Sequence, residues 1–348
     1  MWLITLRDLQ WRKRRFAIAV LGAGLVFALT LVIAGMSASF RDEAARTVAA
    51  VGADAWVLRT GTAGPFTTLA TLPASLAGEI AKEPGVRAAD PIVVIHQTIR
   101  APRDRDINLF GYRIGGLGTP PVKEGRPVAA SGEAVVDSTL GLHPGARFGL
   151  GVRTFTVAGT AVGMSFNAGI PTVYVSLQDV QALAFGGRPV AGTIVTRGEP
   201  ARVPDGYTVM GNAAARDDLL RPVEKAVGAI DIFQLLLWIV AALIVGSVVY
   251  VSALERVRDF AVLKATGSSS PGLLAGLALQ AVILSLAGAL VAILLAVALT
   301  PLFPIKVEVP VRAVVLLPGI AIGVGLLASL AGLRRAVGVD PAVAFGGP

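Results

Sequence analysis

The chain has no cysteine and only two histidines, His96 and His143. The first absence excludes disulfides, thiolate metal sites and cysteine nucleophiles. The second makes a multi-histidine metal site unexpected, and none is assigned. His96 lies in an alternating strand pattern and His143 precedes Pro144, so both read as structural. Charge is scarce as well: 16% of the 348 residues are Asp, Glu, Lys or Arg, against roughly 25% in a soluble domain. No G-x-x-x-x-G-K-[ST] stretch occurs, which excludes ATP binding through a P-loop in this chain. "GMSFN" at 163–167 lacks the final glycine of a nucleophile elbow, so Ser165 reads as a loop residue. No catalytic constellation is visible.

Apolar sequence is abundant instead, at 54% of residues and a mean hydropathy of +0.70. Four long runs carry it. Phe16 to Ser39 and Ile232 to Leu254 contain no Asp, Glu, Lys, Arg or His, and further runs extend from about Leu273 to Leu299 and from Ala313 to Leu333. Each supplies the roughly 20 apolar residues that a helix needs to cross a bilayer. The first is too long for the roughly 7–15-residue core of a cleaved signal peptide. Mid-span Asp, Glu, Lys, Arg and His are absent, which argues against a proton relay or ion-coupled carrier. Gln234 and Gln280 are the only large amides, suited to bridging helices. Small residues recur at four-residue spacing, at Ala34 and Ala38, Gly288 and Ala292, Gly319 and Gly323, and Gly325 and Ser329. Such pairs permit close helix contact, although many arise by chance in so Ala- and Gly-rich a chain.

A pI near 10.3 raises the question of nucleic acid, and the placement of charge answers it. The segments 1–15, 255–272 and 334–348 together hold ten basic and four acidic residues, a net of +6. Residues 41–231 hold 19 basic and 18 acidic residues. Positive excess beside spans marks cytoplasmic segments. No nucleic-acid partner is implied. The expected organisation is a cytoplasmic arm (1–15), a first span (16–40), an extracytoplasmic domain (41–212), a stalk helix (213–231), a second span (232–254), a cytoplasmic helix and turn (255–272), a third span (273–299), a short outer loop (300–312), a fourth span (313–333) and a cytoplasmic tail (334–348). Both termini then face the cytosol.

Residues 41–212 alternate short β-like runs with turn signals, as in "DPIVVIHQTIR", "INLFGYRI" and "IPTVYVSL". "HQTIRAPRDRD" at 96–106 reads as a solvated hairpin end. Helices are expected over "ASLAGEIAKEPGV", stopped at Pro84-Gly85, and over "LQDVQALAF" behind a Ser176 cap. "AAARDDLLRPVEKAVGAID" has helical spacing with a kink at Pro222, as a stiff stalk or a loosely attached helix would. Asp217 and Asp218 suit the positive end of that helix. The fold class is therefore an α-helical membrane protein with four transmembrane helices and an α+β extracytoplasmic domain inserted between helices 1 and 2.

Residues 253–272, "ALERVRDFAVLKATGSSSPG", place charge between two apolar runs. Leu254, Val257, Ala261 and Ala265 recur at helical spacing, and Gly267 and Pro271 suit a helix end and a helix start. A lipid-surface helix is one reading, but Glu255 and Asp259 are acidic where an anionic membrane disfavours them. A mixed-sign, partly apolar patch suits a protein partner better.

"LERVRDFAVLKATGSS" resembles the E-R-x-R-E-F-A-V-L-K-A-I-G-A-S signature of the FtsX-like, or MacB-type (type VII), ABC-transporter permeases. "LRDLQWRKRRF", "RRAVGVDPAVAFGG" and the order span, domain, three spans also match. "GEAVVDSTLGLHPGARFGL", "FTVAGTAVG" and "IPTVYVSLQDVQAL" are similar to the family's MacB-like periplasmic core domain. Asp259 stands where the family has Glu, and Thr266 where it has an aliphatic residue. The resemblance covers the whole chain, close to mycobacterial members. It implies that Glu255, Arg256, Arg258, Asp259, Phe260, Leu263 and Lys264 form a coupling helix that docks on a separate P-loop ATPase. It further implies two ATPase copies that bind the ATP and magnesium, a second permease protomer, membrane lipid, an extracytoplasmic accessory protein and a plasma-membrane location. This chain itself would hold no cofactor and catalyse nothing. Export or extraction of an amphiphile, or mechanotransmission, is the implied function. A ligand-binding membrane sensor, a membrane-embedded enzyme and a glutamine-type import permease are the alternatives.

Overall fold

The computed structural model describes residues 13–101, 103–167, 169–255, 262, 270–300 and 311–337. The chain divides into two compact units, one of residues 40–226 and one of residues 1–39 and 227–348.

The second unit is helical. Helix α1 (Lys13–Val51) begins in it, and α5 (Glu224–Glu255), α6 (Ser270–Leu299) and α7 (Val311–Val337) complete it. Its core repeats every four residues: Ala23, Phe27 and Leu31 on α1, and Ala241, Val245 and Val249 on α5. Ala281, Ala289 and Ala292 of α6 and Leu317, Ala321 and Val324 of α7 join them. That period puts one stripe of each helix inward. The opposite stripes expose large apolar side chains, among them Ile18, Leu21, Leu25, Ile232, Leu235, Leu243, Leu290 and Leu294. So much exposed hydrocarbon is intolerable in water and normal in lipid. Among the described residues three helical stretches are long and apolar enough to cross a membrane, Phe16–Val51, Asn212–Glu255 and Ala275–Leu299. The fourth expected span contributes a shorter apolar stretch, Val311–Leu327.

Small residues set the closest helix contacts, though only partly at the expected pairs. A Cβ on Gly24 would lie 2.8 Å from Val291 Cγ1 and 3.1 Å from the Gly288 carbonyl oxygen, so α1 and α6 nearly touch there. A Cβ on Gly325 would come within 3.0 Å of the Ala281 backbone, bringing α7 onto α6. Gly319 and Gly323, which share the expected spacing, face no atom within 4 Å.

The other unit is strand-rich. Its strands are β1 (Ala55–Arg59), β2 (Leu72–Pro73), β3 (Ala88–Ala101), β4 (Arg103–Tyr112), β5 (Glu124–Gly125), β6 (Glu133–Asp137), β7 (Arg147–Leu150), β8 (Arg153–Ala161), β9 (Ser165–Phe166), β10 (Ile170–Ser176), β11 (Val190–Ala191), β12 (Thr193–Arg197) and β13 (Tyr207–Gly211). Helices α2 (Leu76–Ile80), α3 (Leu177–Ala184) and α4 (Asn212–Leu220) accompany them. The expected helix before Pro84-Gly85 is thus only five residues long. β2 and β11 pair separately; the rest form one sheet in the order β13-β1-β12-β3-β4-β10-β6-β8-β5. β10 lies parallel to β4 and β6 parallel to β8, while the other pairs are antiparallel. β7 bonds to both β3 and β8, so β3, β4, β10, β6, β8 and β7 close into a ring.

Alternation along the strands divides the interior in two. Ile107, Leu109, Val136, Val173 and Val175 enter one core with Phe148 and Phe155. Their neighbours Phe110, Val135 and Tyr174 enter another, with Trp56, Phe66, Phe166 and the α1 residues Ala44, Val48 and Val51. A period of two makes this division automatic once the register is fixed. The expected stalk helix is interrupted: α4 ends at Leu220, and a 3-10 turn over Arg221–Val223 leads into α5. Pro222 has no N–H to give to helical bonding, which accounts for the break.

Candidate functional site

The expected partner-binding segment lies between α5 and α6. Of its residues, Glu255 is the exposed last residue of α5. Arg256, Arg258, Asp259, Phe260, Leu263 and Lys264 lie outside the described residues, as does Gly267. Val262, between them, is helical and half exposed. The frame that presents the segment is well defined. Gln280 Nε2 donates to Ser252 Oγ at 3.1 Å, and both side chains are buried. Ser252 is in the last turn of α5 and Gln280 in the third turn of α6. The bond therefore ties the two helices at the end from which residues 256–269 emerge. Gln280 thus bridges helices, as an amide in an apolar span should.

In the strand-rich unit, polar side chains serve mainly as loop clamps. Asp179, fully buried, accepts from Ser176 Oγ (2.7 Å), Ser131 Oγ (2.6 Å), Gly132 N (3.0 Å) and Arg153 Nη1 (2.7 Å). Ser176 in return caps α3 by accepting from Asp179 N at 3.1 Å. Ser-x-x-Asp is a capping-box spacing, so this pair was legible as S-L-Q-D. Asp137 accepts from Thr139 N (2.8 Å), Thr139 Oγ1 (2.6 Å) and Met164 N (2.8 Å). Asp90 accepts from Leu117 N at 2.9 Å and pairs with Arg113 at 3.1 Å. Asp218 corrects an expectation. It sits in the second half of α4, not at its positive end, and accepts from Phe66 N (2.9 Å), Thr67 N (3.2 Å) and Thr67 Oγ1. Its job is to hold a loop 152 residues away, and a partner so distant leaves no local trace in the sequence.

On the surface, Arg126 pairs with Glu133, and that ion pair holds the Glu133 carboxyl down at about 2. Ser165 is in β9 rather than in a loop, and it bonds the carboxylate of Glu43. His96 faces Asn167 Nδ2 at 3.2 Å, and among the described residues no acid or nucleophile bonds it to form a triad. An open cleft of about 450 Å³ beside the start of α3 is lined by Ser75, Pro91, Arg113, Ile114, Gln178 and Gln181, among others. None of these features has the geometry of a catalytic centre.

With the two units described, the likeness to known proteins can be read onto them. The MacB-like periplasmic core domain model matches residues 17–218, and the FtsX-like permease C-terminal model matches residues 232–341. The chain belongs to the FtsX-like, MacB-type ABC transporter permeases. The first match spans α1 and the strand-rich unit through most of α4; the second begins in α5 and takes in α6, α7 and the segment 255–272. Uncharacterized ABC transporter permeases of Mycobacterium bovis (strain ATCC BAA-935 / AF2122/97) and Mycobacterium tuberculosis (strain ATCC 25618 / H37Rv) are each 48% identical over 99% of both chains. A second permease of that M. tuberculosis strain is 45% identical over the same share. Among solved structures, the periplasmic region of MacB from Actinobacillus actinomycetemcomitans aligns at 14% identity and TM-score 0.35, covering 49% of this permease and 92% of that chain. The extracellular domain of the transporter YknZ from Gram-positive bacteria aligns at 15% identity and TM-score 0.35, covering 46% and 99%.

Proposed function

We propose that this permease is the membrane subunit of an ABC system that couples ATP hydrolysis by a separate ATPase to movement of its own strand-rich domain. In this reading the chain spans the plasma membrane four times, with residues 41–231 outside and both termini in the cytosol. Glu255 to Lys264 form the coupling helix, and two protomers pair with two ATPases. Energy reaches the strand-rich domain through α1 and α5, each a single helix that begins or ends in the membrane unit. The product is export or extraction of an amphiphile, or a pull on an accessory protein outside.

One observation carries the reading: the FtsX-like match covers residues 232–341, a range that includes the mixed-charge segment and both helices that frame it. Two features support it. The apolar runs carry no mid-span ionisable group, so they offer no relay for a polar solute. A groove of about 710 Å³ between α1 and α5 is lined by Ile18, Gly22, Leu243 and Ile244, with Arg14 at one end. Hydrocarbon walls with Arg14 at one end suit an anionic amphiphile.

The test is capture of the P-loop ATPase by purified permease variants. Leu263→Asp and Glu255→Arg should lose the ATPase while inserting normally, because buried apolar anchors and desolvated charges dominate such interfaces. Arg105→Glu, in the strand-rich unit, should retain it. Full capture and ATP-driven function in both coupling-segment variants would reduce residues 254–265 to a lipid-surface anchor.

A further inference from the structure

The long sheet of the strand-rich unit runs from β5 to β13, and those two ends are protected unequally. β5 is two exposed residues set in "PPVKEGRP", with Lys123 and Arg126 beside them. Short length, proline and charge are the usual means of blunting a sheet edge. β13, "YTVMG", has five residues and neither proline nor charge. Val209 at its centre is 37% exposed although it stands opposite Val57 of β1, which is buried. Tyr207 packs half-buried against one core of the unit and Met210 against the other, so both cores run out to this edge.

The register shows which backbone groups face outward. Thr60 N donates to the Gly206 carbonyl at 2.8 Å, and the β1–β13 pairs follow from Arg59↔Tyr207 to Ala55↔Gly211. Hydrogen-bonded and open pairs alternate along an antiparallel ladder, so Thr208 and Met210 bond to β1. Tyr207, Val209 and Gly211 turn their N–H and C=O groups the other way. Some of these are used locally. Tyr207 N donates to the Pro204 carbonyl at 3.2 Å, and the carbonyl of Gly211, the N-cap of α4, is taken up by the first helical bond. The N–H groups of Val209 and Gly211 and the carbonyls of Tyr207 and Val209 remain. Among the described residues no other strand reaches them.

We propose that β13 pairs antiparallel with β13 of a second copy of this permease, about a two-fold axis at Val209. Such an axis sets Val209 opposite Val209 and Tyr207 opposite Gly211. Val209 N–H then meets the Val209 carbonyl of the other copy, and Gly211 N–H meets its Tyr207 carbonyl. Every group left over on one edge finds its complement on the other. The side chains agree: on the face where Val57 lies, Val209 covers Val209 and Tyr207 covers the bare Gly211 position. The strand carries no charge, so no like charges meet across the ladder. Asp205 of each copy comes toward Ala213 of the other, in the first turn of α4. That turn has no acid of its own and its cap makes no side-chain bond, so an incoming carboxylate suits it. One short strand cannot supply the about 1,200 Å² that free domains need for stable association, whereas protomers already paired in one membrane meet at high effective concentration. The proposal therefore rests on the reading that two protomers pair, and it names where their strand-rich units meet.

The experiment uses the full chain in nanodiscs, where the absence of native cysteine makes introduced thiols unambiguous reporters. Directly opposite residues of an antiparallel pair lie about 4.5–5.5 Å apart, within disulfide reach. Val209→Cys should therefore form a covalent dimer under mild oxidation. It should do so at least about tenfold faster than Val152→Cys, a fully exposed position between β7 and β8, because a pair held in register has the higher effective concentration. Register is read with Thr208→Cys and Met210→Cys, which should link to each other in co-expressed samples and not each to itself. Val209→Pro removes an outward N–H and spares the β1 ladder, so it should abolish that link with little change in unfolding midpoint. The Val209→Cys rate decides even where the proline variant unfolds. Equal rates at Val209→Cys and Val152→Cys overturn the proposal, as does Thr208→Cys linking to itself in place of Met210→Cys. Protection of the Val209→Cys thiol without a covalent dimer would give the edge to a different partner and overturn it too. Particle mass before oxidation separates the two readings. A dimer without the Val209→Cys link removes the edge pairing and leaves the pairing of protomers, whereas a monomer removes both.

Discussion

The helices of the membrane unit meet through alanine and glycine, whereas the strand-rich unit closes over Trp56, Phe66, Phe110, Phe155 and Tyr174. The polar groups differ as well. One buried bond between side chains, Gln280 to Ser252, ties α5 to α6, while four buried aspartates pin the loops of the other unit. The solvent explains the contrast. Lipid tails are as apolar as leucine, so helices in a bilayer gain little by hiding large side chains from them and gain most by close approach. A domain in water gains from burying large apolar area, about 25 cal/mol per Å². Its loops must then satisfy their backbone N–H groups without ladders, and a carboxylate that accepts two or three of them does so compactly.

The largest test of this contrast is Asp179→Ala. It strands the Arg153 guanidinium, two hydroxyls and the Gly132 N–H, and should cost about 3–5 kcal/mol. Thermal unfolding followed by Trp56 fluorescence reads it, and a loss under about 1 kcal/mol would mean that the clamp is decorative. Next comes Gly325→Leu in the membrane unit, expected to cost about 1–3 kcal/mol by overpacking against the Ala281 backbone. Gly319→Leu, facing open space, should be tolerated, and equal damage from both would contradict contact through small residues. Smaller still is the Ser252→Ala, Gln280→Leu pair. Its coupling energy should fall near 0.6 kcal/mol, the size typical of hydrogen bonds between membrane helices, as measured by a double-mutant cycle in detergent-titrated unfolding.

The smallest effect concerns the Arg126–Glu133 pair. The folded Glu133 carboxyl is depressed to about 2, so its stabilising contribution is complete above the ordinary carboxylate range and disappears as pH falls toward 2. Arg126 is exposed, so solvent screening keeps the contribution small. Wild type and Glu133→Gln should differ at pH 7 and converge near pH 2. A difference that grows on acidification would reverse the sign of this account.

What could be read in the sequence was whatever repeats locally. The apolar runs of α1, α5 and α6, the alternation in β3, β4 and β10, the Ser176 cap and the break at Pro222 all follow from neighbours within a few residues. Contacts made across the chain were not legible. The parallel β4–β10 and β6–β8 pairs join strands that lie far apart or share no hairpin. Asp218 reads locally as a helix-end acid, yet its partners are Phe66 and Thr67. Glycine spacing misled in the same way: Gly319 and Gly323 have the expected period without the contact, while Gly24 finds Gly288 on another helix. The proposed coupling segment, Glu255 to Lys264, rests on residue order and not on contacts.

β1 carries a consequence for how the protein is made. Its partners are β12 and β13, and Trp56 Nε1 donates to Asn212 Oδ1 while Asn212 Nδ2 donates to the Ala53 carbonyl. Every one of these bonds waits for chain more than 130 residues downstream. During synthesis "AWVLR" therefore remains an unpaired apolar strand until nearly all of the unit has emerged. Pairings so distant in sequence are slow to form, and an exposed strand edge invites aggregation meanwhile. The unit can be sealed only when Asn212 arrives, shortly before the ribosome begins α5. Biogenesis thus places domain closure and insertion of the next membrane helix within the same few seconds.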